Sequence, residues 1–414
     1  MAENSTYQDL GFSRPPKEWA ISPLEELLAP KGLAIGVMYP GAHDPNGVPI
    51  VRVKNMQNGG IVTDDVLRVA KEVEEKHAGA RLQGGEILLS LVGSVGRVAL
   101  VPAEMSGWNT ARAVAVIRVA GGVSNSWVKI WLSSAPAQHY MRSRLNTTVQ
   151  ATLNLRDVRN IPIVVPPEGD RRAIIEVLGA LEDKIASNER VMATSRELGL
   201  ALFAEAIQAG DAIGIAVESV ASALTRGIAP KYTDAFDGLI VLNQKCIRGG
   251  RVNLDPSRLT LREKVGAAKF LQRNDVLVNS TGVGTLGRVA RWTSDVEATA
   301  DSHVTIVRFD EKLVDPVCAG FAMLRSQPKI EAMGEGSTGQ TELRRTQVGG
   351  LQIMLPSPPR QKELRVRLDA LEERADQAIA ESLSLNALRD TVLPQLMSGE
   401  LRVRDAERIV EDAV

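Results

Sequence analysis

GSVGRVA at 93–99 and GTLGRVA at 284–290 are two copies of one phrase, 191 residues apart. Each follows a run that joins an acidic residue to apolar ones, GGEILLS around Glu86 and RNDVLVNS around Asp275, the second with two more residues before the glycine turn. Downstream, AIIEVLGALEDKI at 173–185 lines up with ELRVRLDALEERA at 363–375 at an offset of 190, setting Leu178, Ala180, Leu181 and Glu182 on Leu368, Ala370, Leu371 and Glu372. At the same offset Gln150 and Leu153 fall on Gln340 and Leu343, and Gly59 and Gly60 on Gly249 and Gly250. Solenoid repeats have periods of roughly 20–50 residues, so a period this long means two whole domain-plus-linker units in tandem.

Each unit changes character once. Its first part carries short apolar runs such as VPIVRV, EILLSLV and AVAVIRV, which read as strands bounded by turns. A proline pair follows, Pro166-Pro167 in one unit and Pro358-Pro359 in the other. Proline cannot continue a helix but starts one well. Beyond it, Ile174, Leu178, Leu181, Ile185, Asn188 and Met192 recur at spacings of four and three, as do Leu364, Leu368, Leu371, Ala375 and Ala378. That is the seam of a coiled coil. No proline interrupts 168–208, so a helix there would be ~60 Å long at about 1.5 Å per residue. The second helix should run from about residue 360 to Pro394, which is expected to end or kink it. A long amphipathic helix cannot hide its own stripe, so the two pack on each other, antiparallel because a globular domain joins the end of one to the start of the other.

Of the 414 residues, 44% are hydrophobic but only 4% aromatic, so the core must rest on Leu, Val, Ile and Ala. A formal net charge of −1 excludes a wholly basic nucleic-acid coat and leaves local basic patches open. Cys246 and Cys318 stand outside any metal-ligand spacing and form no disulfide framework, as suits a reducing compartment. The opening MAENSTYQDL has no apolar signal core, and no run approaches the ~18–20 apolar residues of a membrane span, so a cytoplasmic protein is expected.

Catalytic constellations are missing. His43, His77, His139 and His303 share no ligand spacing and read as surface or loosely packed residues. There is no HExxH, GxSxG or GxxxxGK[ST], nor the Asn/Asp-Pro-Pro-aromatic tetrapeptide of an amino-methyltransferase. Gly282, Gly284 and Gly287 do spell GxGxxG after an apolar run, the alternative of a nucleotide-binding enzyme. That motif must open a helix, whereas GRVARW alternates like a strand, so a tight strand-turn-strand is the better account. A helical scaffold that reads no DNA is the other alternative.

In their order and duplication, the glycine turns, STGQTEL at 337–343, LQIMLPSPPRQKEL at 351–364 and LPQLMSGEL at 393–401, with the weaker NTTVQATLNL at 146–155 and NIPIVVPP at 160–167, resemble the specificity subunit of type I restriction-modification systems across nearly the whole chain. The resemblance implies an α+β architecture: two tandem pseudo-repeated mixed α/β target-recognition domains separated by two long antiparallel helices forming a coiled coil. Expected boundaries are 1–166 for the first recognition domain, 167–209 for the first spacer helix, 210–357 for the second domain, 358–398 for the second helix and 399–414 for a charged tail, frayed helix or disordered. It further implies a non-catalytic subunit that reads a split, asymmetric target on double-stranded DNA and binds two methyltransferase subunits, joined in some systems by a translocase-nuclease. No cofactor is expected in this chain; S-adenosylmethionine, and ATP with Mg where a nuclease joins, would belong to the partners.

Arginine and lysine suit guanine edges and phosphates, and Asn and Gln suit adenine. Loop candidates in the first domain are Arg52, Lys54, Asn55, Gln57, Arg97, Arg142 and Arg144; in the second, Lys231, Gln244, Lys245, Arg248, Arg251, Arg288, Arg344 and Arg345. Arg97 and Arg288 recur in both copies, which points to a shared structural or phosphate role. Base readers should differ between copies, as Arg52-Val53-Lys54 differs from Leu242-Asn243-Gln244.

Overall fold

The computed structural model describes residues 16, 18–57, 59–63, 65–146, 150–334 and 342–413, so Gln340, most of STGQTEL and part of NTTVQATLNL lie outside the described residues. The chain divides into two compact units, Met1–Ala186 with Ser382–Val414, and Ser187–Glu381.

In the first unit, β1 (Ala20–Pro23), β2 (Leu28–Ile35), β3 (Val48–Val51), β4 (Met56–Gln57), β5 (Gly60–Ile61), β6 (Leu67–Val69), β7 (Ile87–Ser90), β8 (Val98–Leu100), β9 (Asn109–Thr110), β10 (Val114–Val119) and β11 (Pro162–Val165) form the sheets β2-β10-β7-β8 and β6-β3-β9, with two-stranded β4-β5 and β1-β11. In the second unit, β12 (Ile213–Ala216), β13 (Ala221–Arg226), β14 (Leu239–Leu242), β15 (Ile247–Arg248), β16 (Arg251–Val252), β17 (Arg258–Thr260), β18 (Val276–Asn279), β19 (Val289–Arg291), β20 (Ala298–Ala300), β21 (Val304–Phe309) and β22 (Gln352–Leu355) repeat the pattern as β13-β21-β18-β19, β17-β14-β20, β15-β16 and β12-β22. The duplication covers every sheet and begins at β1, upstream of the stretch where the sequence offset is readable.

The strand β7 explains its continuous apolar run by being central. Ile87 and Leu89 face the core that holds Trp127 and Trp131, while Leu88 faces a second core with Val51, Met56 and Leu82. In β18, Val276 and Val278 face one core and Leu277 the other. Side chains alternate across a strand, so a sheet covered on both faces needs apolar residues at every position. The two buried indoles are satisfied: Trp127 Nε1 donates to Val164 O at 2.8 Å and Trp131 Nε1 to Pro162 O at 2.7 Å.

The acidic residue ahead of each central strand is buried and held. Glu86 accepts from the backbone N–H groups of Gln83 and Gly84, and Arg118 Nε stands 3.4 Å from it. Asp275 accepts from Gln272 N–H, and Arg308 clasps both of its oxygens at 2.7 and 2.6 Å. Burial pushes the Asp275 carboxyl above its ordinary range, and the Arg308 guanidinium pulls against that.

One element of the repeat needs a corrected register. β4 pairs Gln57 with Gly60, and β15 pairs Arg248 with Arg251. Gly59 therefore corresponds to Gly250, an offset of 191 rather than 190, and Arg52-Val53-Lys54 corresponds to Asn243-Gln244-Lys245. Gly249 and Gly250 have φ of 62° and 79°, the conformation a two-residue hairpin loop demands.

The long helices span Glu168–Gln208 and Pro358–Ser398, each of 41 residues. Ile174, Leu178 and Leu181, with Ile185 at the edge, share the first unit's core with Leu385, Val392 and Leu396. In the second unit Leu202, Phe203 and Ala206 share a core with Leu364 and Leu368, and Leu371 packs against it. In each unit the segment from one helix's beginning meets the segment from the other's end, so the pair is antiparallel. Ala375 and Ala378 are buried, as is the polar Asn188, whereas Met192 is only partly buried. The buried series Ile174-Leu181-Asn188-Ser195-Leu202 keeps a strict seven-residue period, the pattern of a left-handed supercoil.

The second helix does not end at Pro394 but continues to Ser398, where Gly399 at φ 73° closes it. Val392, Leu396 and Met397 are buried around that proline, and their packing outweighs the single hydrogen bond its missing N–H forfeits. The charged tail is ordered as well: Val403–Glu411 is a helix that sinks Ala406 and Val410 into the first unit's core.

Arg291 is buried in the second unit over the Phe321 ring, with one Nη donating to Asn274 and the Glu372 carboxylate 4.0 Å away. The corresponding strand position in the first unit is Leu100. Removing the foremost of its counter-charges leaves a buried cation poorly compensated, so Glu372→Ala should cost ~3–5 kcal/mol, whereas replacing both members, Arg291→Leu with Glu372→Leu, should be near neutral; calorimetric unfolding of the single and double variants checks the contrast. Burial also pushes the Cys246 and Cys318 thiols up. Both should therefore resist alkylation in the folded protein and react only on unfolding, as mass spectrometry after a timed iodoacetamide pulse would show.

Candidate nucleic-acid interface

The glycine phrases build β-hairpins. β7 runs into the turn at 93–96 and returns as β8, pairing Leu89 with Val98; β18 runs into 282–287 and returns as β19, pairing Val278 with Val289. Gly93 and Gly96 have φ of 77° and 89°, and Gly282, Gly284 and Gly287 of 106°, 73° and 82°. Because 282–287 leads into a strand and not a helix, it lacks the helix N-terminus on which a dinucleotide fingerprint depends.

Beside each hairpin lies a short 3₁₀ turn, Val53–Asn55 in the first unit and Gln244–Cys246 in the second. Arg97 Nη1 donates to Val53 O at 3.2 Å and Met56 O at 2.9 Å, pinning turn to hairpin. In the second unit Asn279 Nδ2 takes that duty, donating to Gln244 O at 3.0 Å and to Thr285 O at 3.1 Å. Arg288 is thereby released and bonds Gly284 O within its own turn at 2.8 Å. The two arginines share a place in the repeat but differ in their bonds.

The remaining candidates fall into three groups. Several are tied to their own domain. Asn55 is buried; its Oδ1 accepts from Arg52 N–H and its Nδ2 donates to Val62 O and Asp65 O. Gln57 Nε2 donates to Lys54 O at 2.8 Å. Arg251 pairs with Asp376 at 2.7 Å and Glu372 at 3.4 Å on the second long helix. A second group is held by surface ion pairs or stacking. Arg52 and Lys54 both engage Asp65, and Lys54 beside Asp65 holds that carboxyl below the usual range. Arg144 stacks over the Tyr140 ring at 4.7 Å. The third group, Arg142, Lys231, Lys245, Arg248, Arg344 and Arg345, is exposed. Within each domain the structure brings together Arg52, Lys54, Asn55, Gln57 and Arg97, and Gln244 with the hairpin that bears Arg288.

Residues not singled out by sequence complete the second surface. Gln244 Nε2 donates to Thr281 Oγ1 at 2.6 Å, and Thr281 Oγ1 lies 2.8 Å from His303 Nδ1. The signal that could have found Asn279 and Thr281 was their place directly before the repeated glycine turn; His303, 22 residues beyond Thr281, gave none. Asp301 next to it is buried, and burial pushes its carboxyl up while it accepts from His303 N–H. Exposed aromatics also stand in the loops after β2 and β13, at Tyr39 and Phe236. Among the described residues no three His, Cys, Asp or Glu side chains are grouped to hold a metal, and no helix is long and apolar enough to cross a membrane.

The arrangement, two copies of a domain that sets cations and amides around a rigid hairpin, agrees with comparison to known proteins. Residues 16–193 match the family described as the type I restriction modification DNA specificity domain. The matched stretch is less than half of the 414 residues. Over 175 residues, 41% of the chain, it is 27% identical to the type I restriction enzyme EcoBI specificity subunit of Escherichia coli, and the match spans 37% of that subunit's length. The fold resembles the crystal structure of the type I restriction-modification S subunit from M. genitalium, with a TM-score of 0.54 and 14% identity over 93% of this chain and 98% of that one.

Glycine is required where a Cβ has no room. At Gly287, φ is 82° and a Cβ would sit 2.6 Å from Glu331 Cα; at Gly284, φ is 73° but the space is open. Gly287→Ala should lower the melting temperature by several degrees more than Gly284→Ala, which bears only the backbone strain of ~1 kcal/mol. Calorimetry of the two variants reads the difference.

Proposed function

We propose that this chain reads a split, asymmetric sequence on double-stranded DNA, one half per domain, for a type I restriction-modification complex. Its long helices dock two methyltransferase subunits and, in a system that cuts, a translocase-nuclease. In this proposal S-adenosylmethionine, and ATP with Mg, are bound by those partners, and the complex works in the cytoplasm.

The observation that carries the reading is the duplication. The specificity domain matched at 16–193 has a structural twin in the second unit, sheet for sheet. One binding module would need one copy; two modules with the same hairpin but different neighbouring side chains suit two different half-sites. Exposed Lys245 and Arg248, and Arg52 and Lys54 in the first unit, supply charge for phosphates, which position a protein on DNA without specifying sequence. The net charge of −1 is compatible with this, because phosphate contacts depend on local placement.

The test is genome-wide mapping of methylated bases in cells with and without this chain, each expressing its methyltransferase partner. A bipartite methylated motif present only with the chain is the expected result. Identical methylation in both would sink the proposal. Charge-removing Lys245→Ala and Arg248→Ala should weaken binding to all duplexes alike. Each should also flatten its salt dependence by about one counter-ion for every phosphate no longer neutralised, as titrations at several salt concentrations would show.

A further inference from the structure

We infer that Gln244, Thr281 and His303 act as one base-reading unit of the second domain; the inference rests on the DNA-reading function proposed above. The three come from separate segments: the 3₁₀ turn after β14, the end of β18 before the glycine turn, and the turn into β21. They are joined in series by the bonds of 2.6 Å from Gln244 Nε2 to Thr281 Oγ1 and 2.8 Å from Thr281 Oγ1 to His303 Nδ1. The backbone around each is fixed too. Asn279 holds Gln244 O, Ser280 N–H donates to His303 O, and His303 N–H donates to Asp301 Oδ1.

Such a series does for a reading surface what loose side chains cannot. Each bond removes rotamer freedom before a ligand arrives, so less is lost on binding. With Nδ1 engaged by Thr281, the imidazole meets a ligand through Nε2. With one Gln244 amide hydrogen engaged, the carboxamide oxygen and the second amide hydrogen are the groups left for a base edge. Glutamine pairs with the N6 and N7 edge of adenine, and an imidazole gives a single bond to a base acceptor or donor in the major groove.

The first domain provides the internal comparison. Leu91 N–H donates to Ala113 O as Ser280 N–H donates to His303 O, and the two hairpins and 3₁₀ turns correspond in register. Those correspondences place Val53, Val92 and Ala113 where the second domain has Gln244, Thr281 and His303. None of the three first-domain side chains can form a hydrogen bond, yet the same sheet, hairpin and turn are built around them. The trio is therefore unnecessary to the fold, and its three members change together. His303 is exposed, so burial does not account for it. Coordinated difference at mutually bonded surface positions, on a framework otherwise repeated, is what two half-sites of unlike sequence require.

The test replaces the trio with its first-domain equivalents, Gln244→Val, Thr281→Val and His303→Ala, in the full chain co-expressed with its methyltransferase partner, followed by methylation mapping. One half of the recognised motif should relax or change at one or two base pairs, with about tenfold or greater loss of preference at each, while the other half stays as it was. His303→Ala alone, at an exposed position, should give a narrower version of the same change with an unaltered melting temperature. It keeps the inference testable where the triple variant misfolds. An unchanged motif, or a uniform drop at all sites with the same bases preferred, overturns the inference. Absence of any motif with the unsubstituted chain overturns the DNA-reading function itself, a different failure from that of the trio.

Discussion

Neither 41-residue helix can bury its stripe against solvent, and this constraint organises the rest of the chain. Each helix lends its beginning to one compact unit and its end to the other, so each unit's core is completed by residues nearly 200 positions apart in sequence. In the first unit Ile174, Leu178 and Leu181 pack with Leu385 and Val392, and in the second Leu202 packs with Leu364 and Leu368. The second unit also buries Asn188, Ser195, Ala375 and Ala378 on its helices, all small or polar. Small residues let helix backbones approach closely, and a buried asparagine penalises alternative registers more than it stabilises the right one.

On that base each unit repeats a layered domain whose centre is a strand covered on both faces. The buried carboxylates at Glu86 and Asp275 show how strict the repetition is. A charge at the mouth of a central strand is costly unless paired, and both copies answer with an arginine from the neighbouring strand, Arg118 or Arg308. Framework chemistry of this kind repeats. Where the copies depart, as with Arg291 at the position of Leu100, the new cation meets a carboxylate that both copies carry: Glu372 here, and Glu182 in the first unit, where Lys129 engages it instead.

Much of this was legible in the residues. The repeated glycine phrase required a turn, GRVARW required a strand after it, and the four-three spacing with flanking prolines required two helices; hairpins and helices stand there. What escaped was whatever depends on atoms brought together from distant segments. Pro394 is a helix breaker by local rule and is overridden by the burial of Leu396 and Met397. The glycine pairs suggested a register of 190 because glycines look alike, whereas the hairpin bonds set 191. Asn55 has the right chemistry for adenine, but its amide is consumed by two loop carbonyls. His303 gave no signal because its partner Thr281 lies on another strand end.

The divergence around the 3₁₀ turns has a physical economy. In both domains the first carbonyl of the turn must be satisfied, and in the first domain Arg97 spends its guanidinium on that carbonyl and on Met56 O. In the second, a neutral amide from Asn279 does the bracing, and Arg288 instead bonds within its own turn. The first domain keeps its mobile charge elsewhere, on Arg52 and Lys54, parked on Asp65. Exposed ion pairs of that sort contribute little to stability, so they hold the side chains in place yet yield readily to a phosphate. Each copy thus combines a fixed polar brace with releasable positive charge, but exchanges which side chains have which task, so the surface can change without the hairpin beneath it moving.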